Sequence, residues 1–175
     1  MDIGGGSVEF ILGNENGILW KQSFEVGAAR LMDKFHKIDP ITPGAIAELN
    51  QYLEERLAAL FNGVASYDID HLIGSSGAFD TFAEVIEADK GNNSFDIKKI
   101  MNYDFNTGDL INTTDMLIRS SHDERAANKS IIPIRVDMIV VAAIATRFIM
   151  EKLNINKVTL STNSLKEGVV ADMLG

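Results

Sequence analysis

Cysteine is absent from the 175 residues of this chain. A disulfide framework, a thiolate metal site and a cysteine nucleophile are therefore excluded. The amino end also lacks a basic segment followed by an apolar stretch, and the longest apolar run, residues 138–145, is too short to span a bilayer. These absences predict a cytoplasmic protein without a membrane anchor.

Positive charge is scarce as well. The chain has 16 Lys and Arg residues against 25 Asp and Glu residues, which gives a formal net charge of -9. Nucleic acid and an anionic membrane surface are therefore not expected as partners, because most of the protein would repel them. An anionic ligand remains possible if backbone amides and a divalent cation hold it.

Several common site motifs are missing. Neither G-x-x-x-x-G-K-[ST] nor G-x-G-x-x-G occurs. The three histidines, His36, His71 and His122, show no metal-ligand spacing, and no serine lies in a G-x-S-x-G elbow. A P-loop, a Rossmann site, a histidine metal centre and a hydrolase triad therefore have no support.

The first part of the chain alternates between apolar and polar side chains. Residues 8–12 alternate, residues 13–17 have turn composition, and a second extended stretch follows at residues 18–26. This pattern predicts an antiparallel hairpin rather than a βαβ unit at the start of the fold.

Helical spacing dominates the rest of the chain. Thr42 followed by Pro43 predicts the start of a helix that continues to residues 62–63. An almost wholly apolar stretch after Pro133 predicts a long buried helix over residues 136–153. The other expected elements are a short helix after Gly27, a strand at 71–73, a helix from Phe79, a polar loop at 89–106, a helix capped by Thr113 or Thr114, a polar segment at 122–130, a strand at 157–161 and a helix at 165–174. Together they predict one α/β domain with a mixed sheet, in which antiparallel hairpin strands are flanked by helices.

The strongest chemical signal is Asp-Ile-Gly-Gly-Gly-Ser at residues 2–7. Three glycines remove every Cβ atom from the turn, so that backbone N–H groups can approach phosphate oxygens. Asp2, and Glu9 on the following strand, are candidate ligands of a divalent cation such as Mg²⁺. On the triplet alone, a flexible lead into the hairpin is an equally good interpretation, and the flanking Asp2, Ser7 and Glu9 favour the phosphate site.

A second turn, Gly-Ser-Ser-Gly at residues 74–77, lies between a strand and a helix. Open α/β sheets bind ligands at the carboxyl ends of their strands, which is where this turn is expected. An ordinary strand-to-helix connection explains it equally well. Arg30 and Arg135 are expected to make structural ion pairs, with Asp137 as the partner of Arg135.

Five segments, in order, resemble the exopolyphosphatase / guanosine pentaphosphate phosphohydrolase family of the actin-like ATPase superfamily. They are residues 2–9, residues 24–31 with Gly-Ala-x-Arg-Leu, residues 74–77, residues 134–137 with Arg-x-Asp, and residues 161–169 with Leu-Lys-Glu-Gly. The resemblance spans nearly the whole chain and implies a ribonuclease-H-like domain of the actin-like ATPase fold.

The resemblance also implies roles for particular residues. Residues 1–175 would form the second, C-terminal domain, and the general-base glutamate would lie in a preceding domain that this chain does not contain. No catalytic residue is then expected here, and Asp2 and Glu9 would be associated with Mg²⁺. The implied phosphate-binding residues are Gly4, Gly5, Gly6, Ser7, Gly74, Ser75, Ser76 and Gly77.

The activity implied by the resemblance is Mg²⁺-dependent release of terminal phosphate from inorganic polyphosphate or guanosine pentaphosphate. The isolated chain would have little turnover, and the intact protein would form a homodimer. Two alternatives remain open: the ATP-binding half of a sugar or acetate kinase, and a phosphate or nucleotide sensor without catalysis.

Overall fold

The computed structural model describes residues 1–92 and 94–162. Within these residues the strands are β1 Asp2–Ile3, β2 Val8–Asn14, β3 Gly17–Phe24, β4 Leu72–Ser75, β5 Asn102–Asp104 and β6 Val158–Ser161. The helices are α1 Ala28–Phe35, α2 Pro43–Arg56, α3 Ala58–Val64, α4 Gly77–Asp89, α5 Thr107–Arg119, α6 His122–Ala127 and α7 Met138–Lys152. The predicted α/β fold with an opening hairpin is confirmed.

The described strands form one mixed sheet in the order β3-β2-β1-β4-β6-β5. The three strands β1 to β3 are antiparallel neighbours, whereas β4 runs parallel to both β1 and β6. The edge strand β5 is antiparallel to β6. The carboxyl ends of β1, β4 and β6 therefore meet at the same edge of the sheet.

Alternation along the strands separates two faces of the sheet. Phe10, Leu72 and Leu160 are buried on the face that carries the core, where α3 and α4 contact the strands. The opposite face, called the outer face below, carries Glu9, Ile73 and the other residues that alternate with the core positions. Helix α7 is buried almost all round, as its apolar sequence predicts.

The helix predicted from Thr42 is divided in two. Thr42 does cap α2, since its hydroxyl accepts a hydrogen bond from the Ala45 amide at 3.2 Å. The backbone of Leu57, however, has φ −98° and ψ 12°, so α2 ends before it and α3 begins after it. The sequence could not show this break because Leu53, Leu57 and Leu60 are all buried and keep their spacing across it.

The helix expected to start at Thr113 or Thr114 starts earlier. Asn106 is the N-cap of α5 and accepts a hydrogen bond from the Asp109 amide. Thr114 lies inside the helix, where its hydroxyl donates to the Leu110 carbonyl at 2.7 Å. A threonine in a helix can satisfy its hydroxyl in this way, so the residue type did not mark the cap.

Two short elements lie where only polar loop was predicted. Strand β5 pairs with β6 through Tyr103, whose ring packs against Phe95 and Phe105. Helix α6 begins with a capping box between Ser121 and Glu124. The helix predicted at residues 165–174 lies outside the described residues.

Candidate functional site

A row of polar residues crosses the outer face of the sheet. Asp2 lies opposite Glu9 on one side and opposite Ser75 on the other. Because directly paired residues point to the same face, the register extends this row through every described strand. The members of the row, called the polar row below, are Ser23, Glu9, Asp2, Ser75, Ser161 and Asn102.

The first glycine turn, residues 4–7, connects β1 to β2 and so lies beside Asp2, in the middle of this row. The Gly4 amide donates to the Ser7 carbonyl at 2.9 Å, which closes the turn. The carbonyls of Gly4 and Gly5 accept hydrogen bonds from Ala28 and Ala29 at the start of α1. The first amides of α1 are therefore used to hold the turn and are not free for a ligand.

The amides of Gly5 and Gly6 are the available donors of the first glycine turn. Both glycines are exposed, and neither amide donates to another residue in the described part of the chain. A Cβ atom at Gly5 would lie 3.8 Å from Ala29 Cβ, and one at Gly6 would lie 4.0 Å from Arg30 Nε. Packing therefore does not require glycine at these two positions, whereas close approach of an anion to the backbone would.

Hydroxyl groups orient the second carboxylate of the site. Glu9 Oε1 accepts hydrogen bonds from Ser7 Oγ at 2.5 Å and from Ser23 Oγ at 2.7 Å. On the other side of Asp2, the Oγ atom of Ser75 is buried and has no hydrogen-bond partner. A buried hydroxyl without a partner is unusual, and it marks a place where a further polar group would be accommodated.

These oxygen groups fit a hard divalent cation. Asp2 and Glu9 are the carboxylates, and the orphaned Ser75 hydroxyl lies next to Asp2 in the register. Among the described residues, no group of three or more His, Cys, Asp or Glu side chains is arranged to hold a metal ion. A cation here would therefore need water or phosphate oxygens as further ligands, which is the usual situation for Mg²⁺.

The second glycine turn, residues 74–77, is tied to the first strand. Ser76 has φ 76° and ψ 176°, a region that residues other than glycine rarely occupy. Its hydroxyl donates to the Ile3 carbonyl at 3.0 Å, which fixes the turn beside β1. The structure thus brings Ser75 to the polar row, while Gly74 lies on the core face. The phosphate-binding roles predicted for residues 74–77 stay predictions.

Of the two arginines expected to make ion pairs, Arg30 does so and Arg135 does not pair with Asp137. Arg135 does not contact Asp137: its guanidinium packs against Gly77 and donates to Thr81 Oγ1 at 3.1 Å. The short spacing suggested Asp137 as the partner, but the Asp137 carboxylate pairs with His122 and Arg125 instead. Arg30 does pair with a carboxylate, Glu25, at 3.7 Å, but both side chains are largely exposed. Arg30 is consequently a positive group beside the first glycine turn that the sequence did not assign to the site.

Asp137 instead belongs to a cluster of partly exposed side chains around the buried Arg125 guanidinium. The Arg125 guanidinium donates to Asp39 Oδ1 at 2.6 Å, to Asp137 Oδ1 at 3.2 Å and to the Val136 carbonyl at 2.6 Å. Burial acts to raise the pKa of Asp39 and of Asp137, but hydrogen bonds outweigh it and lower both pKa values. Asp39 accepts these hydrogen bonds from Arg125 and from the His122 amide, whereas Asp137 accepts them from the His122 ring and from Arg125. This cluster joins α6 to the start of α7, and it was missed because Arg125 stands in a polar segment.

The strand order, with glycine turns at the carboxyl ends of β1 and β4, defines a ribonuclease-H-like domain of the actin-like ATPase fold. The chain belongs to the Ppx/GppA phosphatase family, whose model matches residues 1–175. Both the resemblance and the fold predicted from the sequence are therefore confirmed.

Solved structures agree with this assignment. An exopolyphosphatase from Cytophaga hutchinsonii is 41% identical, with a TM-score of 0.93 over 99% of this chain and 55% of that chain. The PPX-GPPA enzyme of Aquifex aeolicus is 22% identical, with a TM-score of 0.84 over 98% of this chain and 55% of that chain. An exopolyphosphatase-like protein is also 22% identical, with a TM-score of 0.87 over 98% of this chain and 57% of that chain.

The chain spans about half the length of these solved structures. A comparison with curated proteins found no match. None of the helices in residues 1–92 and 94–162 is both long enough and apolar enough to cross a membrane.

Proposed function

We propose that the first glycine turn and the polar row bind the phosphate chain of a substrate together with Mg²⁺. The intact protein is then a phosphohydrolase that releases terminal phosphate from inorganic polyphosphate or guanosine pentaphosphate. The observation that supports this most is the position of Asp2, which lies in register between Glu9 and the unpartnered Ser75 hydroxyl, next to the exposed amides of Gly5 and Gly6.

Each group has a definite task in this proposal. Asp2 and Glu9 hold Mg²⁺, which neutralises phosphate charge that an acidic protein would otherwise repel. The amides of Gly5 and Gly6 donate to phosphate oxygens, and the hydroxyls of Ser7 and Ser23 keep Glu9 in place. Stabilisation of phosphoryl charge is therefore supplied by this chain.

Activation of the attacking water is the task that the described residues do not supply. The two carboxylates beside the first glycine turn, Asp2 and Glu9, are assigned to the cation in this proposal, so neither is left to act as the general base. We therefore propose that the base lies in a further domain and that this chain alone has little turnover. The 41% identity to the exopolyphosphatase from Cytophaga hutchinsonii supports polyphosphate as the substrate class.

The direct test measures phosphate release from long-chain polyphosphate by the longer protein that contains this chain, with and without Mg²⁺. Asp2→Asn and Glu9→Gln should each lower kcat/KM by about 100-fold or more, because each removes a charged ligand of the cation. Glu15→Gln is the matched control: Glu15 is an exposed carboxylate in the β2–β3 turn, far from the row, and its loss should leave the rate unchanged.

Three results would count against the proposal. Full activity of Asp2→Asn would show that the Asp2 carboxylate does not hold the cation. Absence of phosphate release from both polyphosphate and guanosine pentaphosphate by a folded longer protein would favour a sensor. Stabilisation by ATP with Mg²⁺, but not by polyphosphate, would favour a kinase.

A further inference from the structure

A groove separate from the polar row lies among three helices. Helices α2 and α5 both pack against α7, and a cavity of about 360 Å³ lies where Ile46 of α2, Ile118 of α5 and Phe148 of α7 meet. Small-molecule sites have volumes of roughly 300–1,000 Å³, so this cavity, called the helix groove below, can hold a small ligand. Of the described residues, none from the six strands or the two glycine turns lines it.

Apolar side chains from all three helices line the helix groove. Ile46 and Ile118 pack only partly against the core, and Ile144 and Phe148 of α7 are buried beside them. An apolar part of a ligand would therefore contact branched aliphatic side chains and one aromatic ring.

Asn50 supplies an acceptor that has no donor. Its Oδ1 atom is buried and accepts no hydrogen bond from any residue that the structure describes. Buried polar atoms are nearly always hydrogen-bonded, so this atom marks a place for a donor.

Contacts between the helices show which polar groups lie near Asn50. Glu54, one turn after Asn50 in α2, pairs with Lys152 at the end of α7. On α5, the Asp115 carboxylate accepts a hydrogen bond from Arg147 of α7 at 2.8 Å. Asn50 and Asp115 therefore both lie near the last turns of α7, one on the α2 side of the helix groove and the other on the α5 side.

Arg119 lies one helical turn away from this level. Thr107 at the start of α5 donates to the Asn156 carbonyl, just after the end of α7, so α5 runs antiparallel to α7. Arg119, one turn after Asp115, is consequently displaced by about 5.4 Å toward the start of α7. Its exposed guanidinium makes no hydrogen bond or ion pair with another residue in the described part of the chain. It is a free cation at one end of the helix groove.

The charges that line the helix groove cancel. The cations Arg119 and Arg147 are matched by the carboxylates of Asp115 and Glu151. A molecule with several negative charges would meet both carboxylates, whereas a molecule that carries one charge of each sign would be repelled by neither end. The helix groove therefore fits a small zwitterion with an apolar part.

We propose that the helix groove binds an α-amino acid with an apolar side chain. The carboxylate of the amino acid pairs with Arg119, whose planar guanidinium suits that group. The ammonium donates to Asn50 Oδ1 and lies near the Asp115 carboxylate. The apolar side chain packs against Ile118 and Phe148. This site goes beyond the proposed phosphate chemistry and shares no residue with it.

Calorimetric titration of this chain with the amino acids phenylalanine and leucine tests the proposal. At least one of them should bind with a dissociation constant below about 1 mM, and glycine, which lacks an apolar side chain, should bind at least about 10-fold more weakly. Phenylalanine amide has no carboxylate, and phenylpropionate has no ammonium. Each should bind at least about 10-fold more weakly than phenylalanine, because each leaves one end of the helix groove unused.

Two variants of the chain locate the binding site. Arg119→Ala and Asn50→Leu should each weaken binding of the amino acid at least about 10-fold. Asn50→Leu should not lower the melting temperature, because an apolar group of similar size replaces an unpaired buried atom, so unfolding would not explain its loss of binding. Arg56→Ala is the matched control: Arg56 is an exposed arginine at the end of α2, outside the helix groove, and its loss should leave the affinity unchanged.

Two results would overturn the proposal. The first is the absence of saturable binding of phenylalanine and leucine at concentrations up to about 10 mM. The second is unchanged affinity for the amino acid in both Arg119→Ala and Asn50→Leu. The titration uses neither Mg²⁺ nor phosphate, so its failure would leave the proposed phosphohydrolase function untouched.

Discussion

The two glycine turns look alike in the sequence but use their glycines differently. In the first turn, residues 4–7, Gly5 and Gly6 are exposed and a Cβ atom at either would meet nothing closer than 3.8 Å. In the second turn, residues 74–77, a Cβ atom at Gly74 would overlap the buried Phe79 ring, and one at Gly77 would overlap the Arg135 guanidinium. The first turn is thus open for a ligand, whereas the glycines of the second are needed for packing.

This difference teaches how the site divides its tasks. The first turn offers free backbone amides, and the second turn holds α4 and β1 in place so that Ser75 reaches the polar row. A glycine motif at the end of a strand therefore does not by itself identify a phosphate contact. The surroundings of each glycine decide between the two roles.

The largest effect that separates the turns is expected for Gly74→Ala. The new Cβ atom would push into the fully buried Phe79 ring, which packs edge-on against Phe82 and has little room to move. We expect a loss of about 3 kcal/mol in the free energy of unfolding, or roughly 6–12 °C in melting temperature. Gly44→Ala in the first turn of α2, where the new Cβ has space, is the control and should not destabilise. An unchanged melting temperature for Gly74→Ala would show that packing against Phe79 does not require glycine at position 74.

The next effect is on ligand binding by the first turn. Gly6→Ala should change the free energy of unfolding by less than about 0.5 kcal/mol, because its Cβ atom has room. The same Cβ atom would keep phosphate oxygens from the amide, so the affinity for tripolyphosphate with Mg²⁺ should fall about 10-fold, or about 1.4 kcal/mol. Calorimetric titration measures this. Unchanged affinity for tripolyphosphate in a stable Gly6→Ala variant would contradict the proposal that the first glycine turn binds phosphate through its amides.

Gly77→Ala should have a smaller effect, since the group it displaces is the end of a flexible side chain. The loss of the Arg135 to Thr81 hydrogen bond should cost about 1 kcal/mol. In an Arg135→Ala background the same Gly77→Ala change should cost nearly nothing, because the guanidinium is gone. This double-mutant cycle measures the coupling directly. If Gly77→Ala lowered the free energy of unfolding equally in both backgrounds, the Arg135 side chain would not be the reason that position 77 needs glycine.

The smallest expected effect is a pH dependence next to the second turn. Burial raises the pKa of Asp80, and the Arg135 guanidinium opposes this only in part. The folded state therefore holds the proton more tightly, and stability is lost as the pH rises from the unfolded pKa of 3.8 through the folded pKa. Asp80→Asn should remove this loss of stability. The melting temperature of the variant should therefore exceed that of the wild type by up to about 2 °C at neutral pH, and the two should be equal at pH below 3.8. If the wild type instead became more stable relative to the Asp80→Asn variant as the pH rose, the predicted direction of the pH dependence would be wrong.

The sequence predicted the hairpin, the first glycine turn and the buried helix because each follows from residues close together in the chain. Alternation at residues 8–12 and the apolar run of α7 were sufficient. Strand β5 was missed because Asn102 and Asp104 are polar and three residues give too short a pattern. Helix α6 could have been found, since Ser121 and Glu124 have the spacing of a capping box.

The polar row could be predicted only in part. Asp2 and Glu9 belong to consecutive strands of a meander, so their proximity follows from the local sequence. Ser75 and Ser161 join them through parallel pairing of β4 with β1 and β6, which depends on long-range packing. Likewise, the contact of Arg135 with Gly77 joins residues far apart in the chain, so local spacing suggested Asp137 instead.

The most direct test of the open first turn follows the backbone amides by NMR while tripolyphosphate and Mg²⁺ are added to this chain. The account predicts that the Gly5 and Gly6 amide signals shift most, with Ser75 also affected, while Gly108 in α5 stays unchanged as the internal control. Unchanged Gly5 and Gly6 signals at ligand concentrations that saturate binding, or larger shifts around Gly108, would contradict the account.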